Sequence, residues 1–540
     1  MQPLSTRATR AILLLALSGP ALAQLGPPPV PPQNPITPEK TILGKALFWD
    51  EQLSSDSTIA CGTCHIPGFG GADPRVGPGA VHPGPDGSFG TPDDKFGSLG
   101  IRDYDQGEFQ ANSIFGFEPQ VTERLANSPI GAAHFQDIFW DGRARSEFID
   151  PETGLVSIQS GGGLESQALG PILSSVEMGD TGRTWDDVRS KLESVRPLAL
   201  AWNLTPDLQA ATAGNPSYPD LFQAAFGDPA ITAERIAYAI ATYERTLNPD
   251  DTPFDRFMNG QNNALTQGQQ QGRNAFNSPG SRCNQCHSGA LFSDRSFRNL
   301  GLRPIQEDNG RQAVTGNPGD RGRFKVPSLR NVGLRERFFH NGQFTSLNAI
   351  LGFYNNDGGP FLNNKDPLLN GLNVPPQVRP AIVDFLTNGL TDARVANALP
   401  PFDRPRLNSE RAVSTPVLVG GANFGSGGFV PIMMAPTQAA AGDPGFRLGI
   451  SQGLGGAFAA LGWSTAGASS AGPIQNAIAF DTGILTLSGI GPGNGVGTLE
   501  RAFIQSPALI GLVLRAQWYV RDSAASGRIA RSELAEITLF

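Results

Sequence analysis

The chain has only four cysteines and five histidines in 540 residues, so chemistry that needs thiols or imidazoles has few places to reside. Past its first two dozen residues it lacks any apolar run near the roughly 20 residues of a membrane-spanning helix. It also lacks clustered Lys and Arg and carries a formal net charge of -8. Phosphate binding relies on grouped cations, so nucleic acid is excluded as the expected partner, whereas a basic redox partner suits the acidity. The length exceeds what one core holds, and about 150 residues per domain suggests about three units.

What is present begins at the N-terminus. Residues 1–23, MQPLSTRATRAILLLALSGPALA, place Arg7 and Arg10 before an apolar run and end on Ala21-Leu22-Ala23. This is the layout of a signal peptide cut before Gln24. The rival, a membrane anchor, fails on length, because Ala11 to Leu17 is far too short to span. The expectation is an exported protein, in the periplasm or outside the cell, with no membrane span after cleavage.

Four cysteines in an exported chain would ordinarily be read as two disulfides. Their spacing says otherwise. Cys61-Gly62-Thr63-Cys64-His65 and Cys283-Asn284-Gln285-Cys286-His287 are both C-x-x-C-H and use every cysteine. That is the haem c attachment pattern: two thiols reach two vinyl groups on one edge of the macrocycle, and the adjacent histidine, His65 or His287, ligates the iron. A thioredoxin-like pair needs no following histidine twice, and a shared zinc site needs the two pairs brought together. Two covalently bound haem c groups are therefore expected.

The organisation follows from composition. Residues 24–38 are Pro-rich and read as an extended linker. Residues 39–228 mix short amphipathic helices with Gly-rich loops around the first motif. The segment ITAERIAYAIATYERTL, from Ile231, has helical periodicity and is expected to open a second unit, 229–405, that holds the second motif and ends after VRPAIVDFLTNGL. Beyond the Pro-rich PPFDRP, residues 412–540 contain no His or Cys. Leu514, Ala516, Trp518 and Val520 alternate there with Arg515, Gln517, Tyr519 and Arg521. The fold class expected is mainly α, two cytochrome-c-like haem domains followed by a C-terminal all-β sandwich-like domain.

The blocks around both motifs resemble the bacterial di-haem cytochrome c peroxidase superfamily over roughly residues 40–400. They run in order through LGKALFWDEQLSSDSTIACGTCH, FWDGRA (Phe139 to Ala144), ESQALGPILSSVEMG (Glu165 to Gly179), AIATYERTL (Ala239 to Leu247) and FKVPSLRNV (Phe324 to Val332). The resemblance implies that peroxide meets the His65 haem, with Gln167, Pro171 and Glu177 on its distal side. Glu177 would carry the proton between the two peroxide oxygens, as a carboxylate can, and Gln167 would orient them. The alternative for Glu177 is an ordinary loop carboxylate. The resemblance also places Trp140 between the two haems as an electron relay, against the alternative of a packing residue. Extra sequence between Trp140 and Gln167, near SEFIDPETGLVSIQSGGG, is expected to lengthen a loop beside this site.

Two subgroups differ at the second haem. In the peroxidase pattern a methionine follows the histidine of a Phe-His-Asp-Gly-like loop by fourteen residues. Here the loop is Phe339-His340-Asn341-Gly342 and the fourteenth residue is Tyr354, which resembles the enzymes that mature the tryptophan-derived cofactor of methylamine dehydrogenase. A phenolate is harder than a thioether and favours ferric iron, so this haem should have a low potential; an ordinary core tyrosine is the alternative. His82, seventeen residues after His65, lies near the place of a displaceable distal histidine in some peroxidases, while His134 reads as structural. The family also holds calcium between its domains, with Asn127 as the nearest match for its asparagine, and it often forms homodimers. The acidic loop Asp86 to Asp94 reads equally as a cation site or a polar turn. Three functions are open: a peroxidase fed by a small donor such as a cytochrome c or cupredoxin, a maturation-type oxidase of a protein or organic substrate, and a simple electron carrier.

Overall fold

The computed structural model describes residues 25–411, 416–436, 439, 445–465, 479–480, 484–503 and 507–539. The expected signal peptide, 1–23, and its cleavage point before Gln24 lie outside the described residues.

Helix α1 (Pro38–Trp49) starts where the sequence supplies a cap. Thr37 Oγ1 accepts from Lys40 N at 3.2 Å, Pro38 sits in the first turn, and Glu39 lies at the positive end of the helix. The single turn α2 (Cys61–Cys64) carries the first motif. Then come α3 (Gly163–Leu173), α4 (Trp185–Ser194), α5 (Pro206–Thr212), α6 (Tyr218–Phe226) and α7 (Ala233–Thr246). One buried cluster joins them, with Leu43, Leu47 and Phe48 of α1 meeting Ile236, Ile240 and Tyr243 of α7. The two helices nearly touch backbone to backbone at Gly44, where a Cβ would fall 1.9 Å from the Ala239 carbonyl oxygen. Trp49 Nε1 donates to Tyr243 OH at 3.0 Å and locks the pair at its far end.

This placement corrects the expected boundary at residue 229. Helix α7 belongs to the first core, because its small residues Ala233, Ala237 and Ala239 let α1 approach closely. The second cluster is built from α8 (Pro253–Met258), α9 (Gln267–Phe276), α11 (Leu347–Asn355) and α12 (Arg379–Asp384), with α10 (Gln312–Thr315) in a connecting loop. Helix α12 runs on into a wider π turn at Phe385–Gly389, and α13 (Ala393–Ala396) follows. After α13 the chain returns, and Val395, Phe402 and Leu407 are buried in the first cluster rather than the second.

The Pro-rich segment is extended, as its composition predicts, but it is not a free linker. Leu25 and Asn34 are buried. Asn34 Nδ2 donates to Glu165 Oε1 at 2.8 Å and its Oδ1 accepts from Lys40 Nζ at 3.0 Å. Arg245 completes the cluster with bonds of 2.7 and 2.9 Å to the two Glu165 oxygens. Prolines keep this strand of chain extended, and its few polar groups find buried partners on α3 and α7.

Short antiparallel pairs brace the loops: β1 (Val81–His82) with β2 (Lys95–Phe96), β3 (Tyr104–Asp105) with β4 (Glu108–Phe109), β5 (Phe148–Ile149) with β6 (Val156–Ile158), and β7 (Phe297–Arg298) with β8 (Phe324–Lys325). The C-terminal region is sheet-rich. One sheet has the order β10 (Ile432–Met434), β11 (Phe446–Gly455), β15 (Gly491–Arg501). The other runs β13 (Ala479–Phe480), β12 (Phe458–Thr465), β16 (Val513–Arg521), β18 (Leu534–Thr538), β9 (Val417–Val419). Two short strands extend it, β14 (Leu485–Thr486) on β12 and β17 (Ile529–Arg531) on β16. Phe446, Leu448 and Ile450 of β11 share a core with Leu461 of β12 and Ala516, Trp518 and Val520 of β16. This region rests on the first unit: Thr498 Oγ1 accepts from Phe109 N at 2.8 Å, and the Arg447 guanidinium lies over the Tyr104 ring at 5.1 Å.

Gly44→Ala is expected to lower stability by about 3 kcal/mol, the upper end for forcing atoms into a filled interior. Urea unfolding monitored by circular dichroism reads this; an unshifted midpoint would show that α1 and α7 separate without cost.

Candidate functional site

Each C-x-x-C-H motif lines its own cavity. In the first, Thr63 Oγ1 accepts from Ala60 N at 2.8 Å and holds the single turn that presents Cys61 and Cys64. His65 follows, and its Nδ1 lies 3.1 Å from the Gly71 carbonyl oxygen. In the second, Cys283, Cys286 and His287 line the wall, and His287 Nδ1 lies 2.8 Å from the Phe292 carbonyl oxygen. A carbonyl only accepts, so Nδ1 carries the proton in both rings and Nε2 keeps a free lone pair. Burial also holds both imidazoles below their ordinary pKa, in the neutral state a metal ligand requires.

The four thiols are unpaired with one another, and burial pushes Cys64 up to about 12 and Cys283 up to about 11. The motifs stand in separate cavities, so they do not form one shared zinc site. The second cavity is walled by apolar residues such as Phe338, Ile350 and Leu386. Paired thiols, a histidine with Nε2 free and an apolar wall fit a haem in each cavity.

The first cavity brings together Gln167, Pro171, Glu177 and Trp140 with Cys61, Cys64 and His65. Gln167 and Pro171 lie one turn apart on α3, and Pro171, having no N–H, ends the regular bonding of that helix. The following turn closes on Ser174, whose carbonyl accepts from Glu177 N at 3.1 Å and Gly179 N at 2.8 Å. Glu177 thereby reaches the cavity wall. Burial raises its pKa, opposed by the Arg143 guanidinium. His82 also lines this cavity, but its Nδ1 accepts from Gly84 N at 3.1 Å. That bond puts the ring proton on Nε2, so in this conformation His82 presents a donor rather than an iron ligand. His134 bonds Asn248 Oδ1 at 2.9 Å and lines neither haem cavity.

Tyr354 lies on α11 in the wall of the second cavity, with Cys283, Cys286 and His287. Burial raises its phenol above the ordinary value, and no methionine lines that cavity among the described residues. Trp140 lines both cavities, buried to 7% exposure, and its Nε1 donates to the Leu125 carbonyl at 2.8 Å.

Around Trp140 the two halves meet through matching loops. Bridges Ile138–Ala144 and Phe338–Phe344 close two turns 200 residues apart. Phe139 and Phe339 have φ of 68° and 62°, and Gly142 and Gly342 have φ of 74° and 66°. Trp140 and His340 hold equivalent places, with ring centroids 6.4 Å apart. Arg124 clamps the junction, with 2.6 Å to Asp141 Oδ2 and 2.8 and 2.6 Å to the two oxygens of Asp308. The signal for this repeat was in the sequence, as F-W-D-G against F-H-N-G, but the sequence reading did not use it.

One expectation is corrected, and two open readings are narrowed. The extra sequence after Trp140 forms the β5–β6 hairpin, which packs on α7 through Phe148 against Tyr238 and Ser157 against Glu234, and lines neither haem cavity. The acidic loop folds onto itself: Asp86 and Asp94 accept from Ser88 N and Gly90 N, and Asp93 from Asp86 N. It is a polar turn. Asn127 lines both cavities, but the cation beside it is Arg335, whose Nη2 donates to the Ala126 carbonyl at 2.9 Å. An unneutralised guanidinium there repels a divalent ion, so these residues do not fit calcium.

A family model described as di-haem cytochrome c peroxidase matches residues 38–263. The cytochrome c551 peroxidase of Nitrosomonas europaea is 31% identical over 326 residues, 59% of this chain and 74% of that protein. The chain belongs to the di-haem cytochrome c peroxidase family. Another relative, the methylamine utilization protein MauG of Methylorubrum extorquens, is 31% identical over 328 residues, covering 60% of this chain and 71% of that one. The crystal structure of a MauG-like protein associated with microbial copper homeostasis superposes with a TM-score of 0.50 at 23% identity, over 70% of this chain and 96% of that one. It shares the fold.

For a member of this di-haem family, two groups lining the first cavity went unremarked in the sequence. Arg143 follows Trp140 in the FWDGRA block and lies 3.6 Å over the Phe139 ring. Glu244, in AIATYERTL, is buried with Oε2 unpartnered, and burial raises its pKa to about 8. An unfolded glutamate titrates near 4.3. A carboxyl whose pKa rises on folding stabilises the protein fully below the unfolded value and loses that contribution as pH climbs through the folded one. Stability should therefore fall with rising pH through about 8, by up to about 1.4 kcal/mol per unit from this group. Urea titrations at pH 7 and 8 should show a flatter dependence in Glu244→Gln, and equal slopes would remove Glu244 as the cause.

Proposed function

We propose that the protein is a di-haem c-type peroxidase that reduces hydrogen peroxide to water at the His65 cavity, with electrons from a small donor such as a cytochrome c or cupredoxin. The observation that carries this reading is the convergence of Glu177, Gln167 and Pro171 on the cavity that also holds Cys61, Cys64 and His65. Each thiol would add across a vinyl group, forming one C–S bond while its proton passes to the neighbouring vinyl carbon. His65 and His287 would ligate through their free Nε2 atoms.

When bound, haem would supply the iron for peroxide and the means to pass two electrons to it. The residues around it manage protons and position. Glu177 takes the proton from the near peroxide oxygen and returns it to the far one, which leaves as water. Its raised pKa suits both halves of that exchange. The Gln167 amide can hydrogen-bond either oxygen, and Pro171 adds a side of the wall with no competing N–H. Trp140, common to both cavities, is the route for electrons arriving from the His287 side. The His82 donor geometry speaks against the plain carrier reading, which needs both irons closed by strong ligands.

The proposed architecture is two cytochrome-c-like units with a sandwich-like appendage over 412–540, supported by the separate buried clusters. No helix among the described residues is long and apolar enough to cross a membrane. The proposed location is the periplasm, on the strength of the leader in residues 1–23.

Tyr354 favours a second reading, a maturation-type enzyme that oxidises a protein or organic substrate. Replacing Tyr354 with Met is expected to raise the potential of the His287 haem in a spectroelectrochemical titration, because a thioether favours ferrous iron. An unmoved potential would make Tyr354 a packing residue.

Activity on peroxide should fall on the acid side as Glu177 protonates, with a midpoint above the ordinary carboxylate range, since the base form must receive the first proton. Glu177→Gln is expected to lose about 10²- to 10⁴-fold in kcat/KM and to abolish that acid limb while both haems remain. Steady-state turnover across pH 4–8 decides; an unchanged acid limb in the variant would sink the role.

A further inference from the structure

Arg335 stands where three parts of the protein converge. Its stem passes the loop that follows His65: a Cβ on Gly70 would meet Arg335 Cγ at 3.2 Å. Its head donates to the Ala126 carbonyl at 2.9 Å, one residue before Asn127 and on the segment leading to Trp140. Its side chain lines the His287 cavity, while the Gly70 it passes precedes Gly71, whose carbonyl oxygen lies 3.1 Å from His65 Nδ1. Nearby, Arg124 pairs with Asp141 and Asp308, and Arg330 with Asp255. No carboxylate pairs with Arg335 among the described residues. Burial alone acts on its guanidinium, pulling it down to about 10, so it remains charged at neutral pH.

An enclosed charge without a counter-ion costs stability, and a role that needs the charge explains its retention. We propose that Arg335 is the resident cation between the two haem sites: its guanidinium occupies the place beside Asn127 that a divalent metal would otherwise hold, and it positions the His65 loop against the Trp140 segment without calcium. The five N–H groups of arginine can bind backbone carbonyls as a metal would, but the link is covalent to the chain and cannot be lost to a chelator. A fixed positive charge near His65 favours the reduced iron on that side, so Arg335 also sets the potential of that haem. It is a positioning residue, and it touches no reacting atom.

The proposal rests on the two-haem reading, and its first test is independent of peroxide turnover. The haem-loaded full chain is passed over a chelating resin, and calcium is measured by plasma mass spectrometry and by calorimetric titration with calcium chloride. Less than a tenth of an equivalent retained, no binding heat, and an unchanged His65 haem potential in EGTA are expected. One tightly held calcium per chain would overturn the proposal even if peroxidase activity were confirmed. Arg335→Gln is then expected to shift the His65 haem to lower potential, with Arg335→Lys restoring most of the shift. If Gln and Lys variants that still bind two haems match the wild-type potential, Arg335 is a packing residue and the proposal fails.

Discussion

The arrangement of both cavities depends on one ion cluster, Arg124 between Asp141 and Asp308. Asp141 belongs to the loop of Trp140, and Asp308 to the second half of the chain. Arg124 binds one oxygen of the first and both of the second. Its own pKa is raised and those of both aspartates are lowered, the signature of charges that hold each other ionised against burial. Such a group contributes little net stability, since desolvation offsets attraction, but losing its centre would leave two buried carboxylates at a typical cost of about 3–5 kcal/mol. Its value is geometric. Arg124 also lies 5.5 Å over the Phe324 ring, which stacks on His340 at 3.5 Å, so one guanidinium sets the spacing of Trp140, His340 and the strand that bears Phe324.

Around this clamp, desolvation selects neutral forms. His65 and His287 are held unprotonated, Glu177 and Glu244 are biased toward their acids, and Lys325, buried near Trp140, is drawn down to about 7. A low-dielectric wall of this kind also strengthens any polar interaction made inside the cavities. Charges persist as well: Arg124 and Arg143 line the first cavity and Arg335 the second.

The sequence made the chemistry easier to see than the architecture. C-x-x-C-H is a local pattern that carries its own chemistry, whereas the block from Gln167 to Glu177, a helix and its closing turn, was legible only through the family resemblance. Tyr354 came from the same resemblance, which fixes its offset from His340. The partner of helix α7 is not legible in the sequence, because periodicity shows that a helix has a buried face but not what buries it; the contact at Gly44 and Ala239 decides that. The Pro-rich segment reads as a linker because its anchor, Asn34, bonds Glu165 and Tyr238, far away in the chain. The hairpin after Trp140 turned away from the cavity for the same reason, through Ser157 and Tyr238. Arg335 escaped notice because a lone arginine in a loop has no pattern, and its meaning comes only from the carbonyl it reaches.

The two loops closed at Gly142 and Gly342 have the same backbone, yet one displays an indole and the other an imidazole, facing each other across the join. A join built from two matching turns has no preferred direction of its own. Direction enters only through what the frame holds: a carboxyl and an amide at one end, a phenol at the other, an indole on one side of the mirror and an imidazole on the opposite side. The difference between the two cavities at this join therefore resides in a handful of side chains rather than in the path of the two turns.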